Sequence, residues 1–211
     1  MSSDLPESDR VLWARVSADD SDAFSVIFDR HAGAIFRYAL RRCSDWSMAE
    51  DVVATTFLEA WRKRRATLTI EESIRPWLFG VATNVSRNLP RSRRRYESAL
   101  ERLAGTRPTD GDSEEAVVAR VDADLAASAL AKAISGVPRR QQDVIWLCMV
   151  EGLSHREAAT ALGVPSGTIK SRLSRAGATL RANPSLEPFW SSGHDIDEVP
   201  DVIKESVCET D

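Results

Sequence analysis

The sequence predicts an all-α protein: two helical domains joined by a flexible linker, the second a helix-turn-helix domain. Three observations carry this. Apolar residues recur at three- and four-residue spacing in one stretch after another, and no stretch alternates as a strand does. The chain is rich in Ala, Arg, Glu and Leu, which favour helix. Between the periodic stretches, "GTRPTDGDSEE" supplies Gly, Pro, Thr and acids with few apolar residues, as a linker does. The 211 residues, 43% of them hydrophobic, suffice for one ordinary domain or two small ones.

The elements follow in chain order. Residues 1–21 read as an N-terminal arm, because "MSSDLPESDR" is acidic and has no apolar core of a secretory signal. Residues 22–96 form the first domain. Phe24, Ile27, Phe28, Ile35 and Ala39 fall near one helical face, with Gly33 as an expected irregularity. "SDWSMAED" restarts a helix with Asp45 or Ser47 as its cap, and Val53, Phe57, Ala60 and Trp61 as its inner stripe. "RRATLTIEES" has no period and reads as a loop. Ser73 caps the next helix. Pro76 falls in its first turn, where backbone N–H groups have no partner anyway, and Pro90 should end it. Its inner stripe is Ile74, Leu78, Val81, Ala82 and Val85.

Residues 97–124 are the acidic linker and 125–183 the second domain. "ADLAASALAKAIS" resumes helix, "GVP" stops it, and "RRQQDVIWLCMVEG" is a further helix closed by Gly152. Residues 184–211 are an acidic tail broken by Pro184, Pro188 and Pro200.

Charge is segregated along the chain. Residues 73–96 hold six Arg and no acid, and residues 125–183 hold eight Lys/Arg against three Asp/Glu. Residues 97–124 hold eight acids against three Arg, and residues 184–211 eight acids against Lys204. The net charge of −4 averages over two basic segments suited to an anionic partner.

The second domain carries the sharpest motif, "SHREAATALGVPSGTIKSRLSRAGATLR". Ser154 and Glu157 have the spacing of a capping box for a helix to Leu162. Gly163 suits a terminus that needs positive φ, and Ser166 is expected to cap the helix after it. In that helix Ile169, Leu173, Ala176 and Leu180 share a narrow arc. The opposite side shows Gly167, Ser171, Ser174, Arg175 and Ala178, flanked by Thr168, Lys170 and Arg172. That side is small, polar and cationic, and fits the major groove of DNA. The alternative is an amphipathic hairpin with a solvated basic face. Its weakness is the lack of any acid, since solvated helices mix signs to form i,i+4 pairs.

The whole segment from Val137 to Arg181 resembles region 4 of the extracytoplasmic-function sigma factors of bacterial RNA polymerase, sigma-70 family. The resemblance rests on Pro138, Gln141, Val144, Glu151, Gly152, Ala158, Ala159, Leu162–Pro165, Gly167, Thr168, Lys170–Leu173, Arg175 and Ala176. "DAFSVIFDRHAGAIFRYALRR", "AEDVVATTFLEAWRK" and "IRPWLFGVATNVSRN" resemble region 2 of the same family. Both in this order, with a linker between, make the signal specific. The resemblance implies an alternative sigma factor that initiates transcription of a particular regulon. Its partners would be core RNA polymerase (the clamp of the largest catalytic subunit and the flap region), promoter DNA and an anti-sigma factor, and it would work in the cytoplasm without membrane insertion.

Site residues follow. For the −35 element they are Ser166, Thr168, Lys170, Ser171, Arg172 and Arg175 on the recognition helix. Met48, Asp51, Thr55, Leu58 and Arg62 share the outward side of the helix over 48–64. They are either scattered surface residues or a docking surface, and the resemblance makes them the grip on the polymerase clamp. One departure stands there: Ala54 and Thr55 occupy a place where the family often has an acid. The helix over 74–89 exposes Phe79, Gly80, Thr83 and Arg87, with Asn84, Asn88 and Arg91 at its edges. Phe79 either packs under the preceding loop or stacks on an unstacked base. The resemblance assigns this set, with the loop 65–72, to the −10 element. Arg91, Arg93, Arg94 and Arg95 are a phosphate tether or a solvated charge run.

No Gly-rich phosphate loop, paired catalytic carboxylates or nucleophile–base motif is present, so no enzyme is expected and no cofactor. Cys43, Cys148 and Cys208 are odd in number and dispersed, as are His31, His155 and His194. That argues for a reducing compartment and against a metal site. Two rival readings remain: a free-standing helix-turn-helix regulator acting without core polymerase, and a helical interaction module without DNA contact. The tail is read in three ways: an end with no role, a docking segment for a regulator, or a self-inhibitory flap over the basic second domain.

Overall fold

A computed structural model describes residues 7–43, 45–66, 70, 72–88, 130, 132–187 and 191. Among the described residues all regular structure is helical. The chain divides into two compact units, with its main boundary between Leu100 and Glu101.

In the first unit, α1 is Asp9–Ser17, α2 Ser21–Cys43 and α3 Trp46–Arg62, and α4 spans 75–88. The arm expected over 1–21 is thus partly a helix: Ser8 caps α1 by accepting from Val11 N, and Leu12, Trp13 and Val16 are buried. Its apolar residues are too few to show a period, but they have α2 to pack on. In α2, Ile27, Ile35, Tyr38 and Ala39 line the core, while Phe28 is exposed and the helix runs unbroken through Gly33. Phe28 still meets Phe57 edge-on, with ring centroids 4.7 Å apart. Asp45 is the cap of α3, accepting from Met48 N at 2.7 Å. The buried side of α3 is Ala49, Val52, Thr56, Phe57 and Ala60, turned slightly from the expected stripe, with Val53 and Trp61 half-buried.

In the second unit, α5 spans 132–136 and α6 Arg139–Val144. The chain then widens into a π-helical turn, Ile145–Val150, where one unbroken α-helix was expected. Glu151 N accordingly reaches back five residues to Trp146 O at 2.9 Å. The wider turn leaves Val144, Ile145, Trp146 and Leu147 buried in succession. Cys148 in this turn is a half-buried thiol whose pKa is pushed up to about 11, first by burial and then by the charge of Glu157. Gly152, with φ of 69°, ends the segment as expected. Two further helices follow, α7 at His155–Leu162 and α8 at Ser166–Arg181. A 3-10 turn, Pro184–Leu186, folds Leu186 into the core.

Candidate nucleic-acid interface

The turn between α7 and α8 is built from local chemistry. Ser154 N donates to Glu157 Oε2 at 2.8 Å, and Glu157 N donates to Ser154 Oγ at 3.2 Å, which closes the capping box. Gly163 takes φ of 63°, a left-handed conformation that a side chain would strain. The cap of α8 is Pro165 rather than Ser166. Pro165 has extended backbone and its carbonyl accepts from Thr168 N at 2.9 Å, so Ser166 is already the first helical residue. Freed from capping, Ser166 faces solvent.

Ile169, Ala176, Gly177 and Leu180 are the buried side of α8, and α8 packs on α6. Leu173 is only half-buried. Ser166, Gly167, Lys170, Ser174, Arg175 and Ala178 are exposed, and Thr168, Ser171 and Arg172 are half-buried beside them. Ser171 Oγ donates to Thr168 O at 3.1 Å, which ties that hydroxyl to its own helix. The exposed side of α8 therefore offers two long cations, Lys170 and Arg175, among short residues that let a helix come close to a groove wall.

On the first unit, Asp51, Leu58 and Arg62 of α3 are exposed and Met48 and Thr55 half-buried. Leu58 is 54% exposed, a large apolar side chain on a side that is otherwise polar but for the half-buried Met48. Arg62 lies 3.5 Å from Glu59.

Ile74, Leu78 and Ala82 are buried as expected, but the buried side of α4 is turned away from Val81 and Val85. Phe79, Gly80 and Thr83, read from the sequence as exposed, are all buried. Tyr38 of α2 accounts for Phe79 and Thr83: its ring meets Phe79 edge-on at 5.1 Å, and its hydroxyl lies 2.6 Å from Thr83 Oγ1. Thr83 donates its own proton to Phe79 O at 2.7 Å, so Tyr38 is the donor to Thr83. The guanidinium of Arg75 lies 5.2 Å from the centroid of the Phe79 ring. Val81 and Val85, expected inside, are half-buried instead. Asn84 and Asn88 are exposed and Arg87 half-buried; Arg91, like Arg93–Arg95 and residues 67–69 and 71 of the loop 65–72, lies outside the described residues.

Sequence reasoning missed the cluster that holds α4 in this phase. Asp9 at the start of α1 is 5% exposed, and its carboxylate gathers groups from two other elements. Arg30 NH1 donates to Oδ1 at 2.6 Å, and His31 Nε2 lies 2.8 Å from Oδ2. Ser73 Oγ and Ile74 N, at the entrance to α4, donate to Oδ2 at 2.6 and 3.1 Å. Burial alone would raise the carboxyl pKa, but His31, Ser73 and Arg30 outweigh it and hold the group well below the usual carboxylate range.

Comparison with known proteins identifies the family. The description "Sigma-70 region 2" matches residues 27–96, and "Sigma-70, region 4" matches residues 127–180. The ECF RNA polymerase sigma factor SigL of Mycobacterium tuberculosis is 34% identical over 171 residues, covering 80% of this chain and 94% of that protein. The RNA polymerase sigma factor CnrH of Cupriavidus metallidurans is 30% identical over 184 residues, covering 83% and 94%. Among solved structures, CnrH in complex with the cytosolic domain of CnrY is similar with a TM-score of 0.60 at 26% identity, covering 83% of this chain and 96% of that one. The sigma factor RpoE in complex with the anti-sigma factor NepR from Bartonella quintana is similar with a TM-score of 0.53 at 25% identity, covering 75% and 94%. With both regions matched in order and a relative at this identity spanned almost end to end, the chain belongs to the extracytoplasmic-function sigma factors of RNA polymerase.

Proposed function

We propose that this sigma factor binds core RNA polymerase through the outward side of α3, sets α8 on the −35 element, and uses α4 to open the −10 element. The observation that carries the reading is α8: a helix held by Ile169, Ala176 and Leu180, entered through a left-handed Gly163, and offering Lys170 and Arg175 with no acid on the same element. Leu58, exposed between Asp51 and Arg62, supports the polymerase contact. At the −10 element the reading rests on Asn84, Arg87 and Asn88, because Phe79 and Thr83 are core residues. Two modest DNA sites on one chain gain affinity through effective concentration. The solved relatives bound to CnrY and to NepR support an anti-sigma factor as a further partner.

The test is transcription in vitro with core polymerase on genomic fragments, followed by mapping of the transcript starts. Starts preceded by one shared pair of elements at fixed spacing are expected. A protein that binds DNA with a steep salt dependence yet neither joins core polymerase nor directs starts would be a free-standing regulator instead.

A further inference from the structure

The helix α1 lies outside the residues matched by either sigma-70 region. Both its ends are nevertheless fastened to the elements on either side of the α3–α4 connection. At its N-terminal end, Asp9 takes Ser73 Oγ and Ile74 N from the entrance to α4, while Arg30 and His31 of α2 back the same carboxylate. Along its length, Trp13 meets Trp77 of α4 with ring centroids 6.1 Å apart. Just past its C-terminal end, Asp19 pairs with Arg64, at 2.7 Å, and with Arg65, both in the turn that follows α3. Asp19 holds φ of 70°, so the left-handed turn is what aims its carboxylate at these two arginines. Asp20, next to it, accepts from Ala23 N at the start of α2 and from Arg15 Nε of α1, which fixes the turn itself.

The turn after α3 and the start of α4 are therefore both measured off against one short helix. We propose that α1 is a brace for promoter opening, with Asp9 and Asp19 as positioning residues: neither touches DNA, and together they fix the angle at which Asn84, Arg87 and Asn88 of α4 meet the −10 element. This rests on the −10 reading of α4 above. A fixed angle matters most while the strands are still paired, because the contacts that favour the opened state must then offset unpairing and unstacking.

Asp19 gives the cleaner test, since its pairs are exposed and Gly suits its backbone. Asp19→Gly removes both ion pairs and is expected to leave the thermal midpoint unchanged or slightly raised. Transcription by the full chain with core polymerase, from a promoter mapped as above, should fall about threefold to tenfold on duplex template. On the same promoter made non-complementary across the −10 element it should stay within about twofold of the wild type. Asp19→Asn, which keeps an acceptor but not the charge, should fall between. Asp9→Asn, assayed at a temperature well below its own thermal midpoint, should show the same split between templates. Equal losses on both templates, or duplex activity of Asp19→Gly equal to the wild type, would overturn the brace. A wild-type chain that directs no starts on any template would instead overturn the proposed function.

Discussion

Arg175 stands on the exposed side of α8 while its neighbour Ala176 is buried, so the guanidinium can reach outward without disturbing the core. Arg175→Ala is expected to cost about 1–3 kcal/mol on the preferred −35 sequence and less on unrelated DNA, measured by competition at fixed salt. An equal loss on every sequence would reduce Arg175 to a phosphate contact. Asp9 answers to pH rather than to DNA. Its pKa is depressed in the folded state, so the stability it contributes is fully present above the unfolded carboxylate range and is lost as pH falls through and below it. Asp9→Asn should cost about 2–3 kcal/mol near neutral pH, because Arg30 and His31 lose their buried partner. Denaturant titrations between about pH 3 and 7 should show the gap between the two proteins narrowing toward the acid end. A gap independent of pH would mean that the cap on Ile74 matters and the charge does not.

At the scale of elements, α3 has a buried side and an exposed side, and the proposed polymerase contact uses the exposed one. Ala49, Val52, Thr56, Phe57 and Ala60 are buried, and Leu58 is exposed between them in sequence but not in space. Leu58→Glu should therefore abolish pull-down of core polymerase while leaving the circular dichroism spectrum and DNA binding by α8 intact. A variant that unfolds would show Leu58 to be needed by the fold. The period of α3 predicted its exposed side well, because Leu58 needs no distant partner to be outside. The period of α4 held for Leu78 and Ala82 but misled on the rest. Its valines suggested one inner side, yet a threonine and a phenylalanine on another side are buried, because Tyr38 supplies a hydroxyl for Thr83 and an edge for Phe79. Hydrophobicity counts Thr83 as polar; its burial is satisfied by Phe79 O four residues back and by the Tyr38 hydroxyl 45 residues away, and only the first of these is local.

For the whole molecule, segregated charge is the organising feature. The acidic stretches over 97–124 and 188–211 and the basic second domain alternate along one chain. Of the tail, residues 188–190 and 192–211 lie outside the described residues. The flap reading has an electrostatic test that the fold refines. Leu186 is 1% exposed and Asn183 caps the turn that holds it, so truncation should follow Glu187 rather than Asn183. On the flap reading, deleting 188–211 should tighten DNA binding at low salt and steepen its salt dependence, since the tail's acids would compete with phosphate for Lys170, Arg172 and Arg175. Unchanged affinity and slope would exclude the flap and leave docking to a regulator, read by whether the shortened chain still captures that partner.

The sequence by itself determined the helix-turn-helix, because every device that makes it is local. Ser154 and Glu157 cap each other three residues apart, Gly152 and Gly163 take the left-handed turns that end helices, and the arc of Ile169, Ala176 and Leu180 turns the cations of α8 outward. The family followed from these residues together with the region 2 stretches of the first domain. Tertiary structure alone decided the role of Asp9, whose partners lie 21, 22, 64 and 65 residues away, and with it the helix in the expected arm and the rotation of α4. A period records which side of a helix is apolar. It does not record which polar group waits opposite, and buried hydrogen bonds choose among sides of nearly equal hydrophobicity.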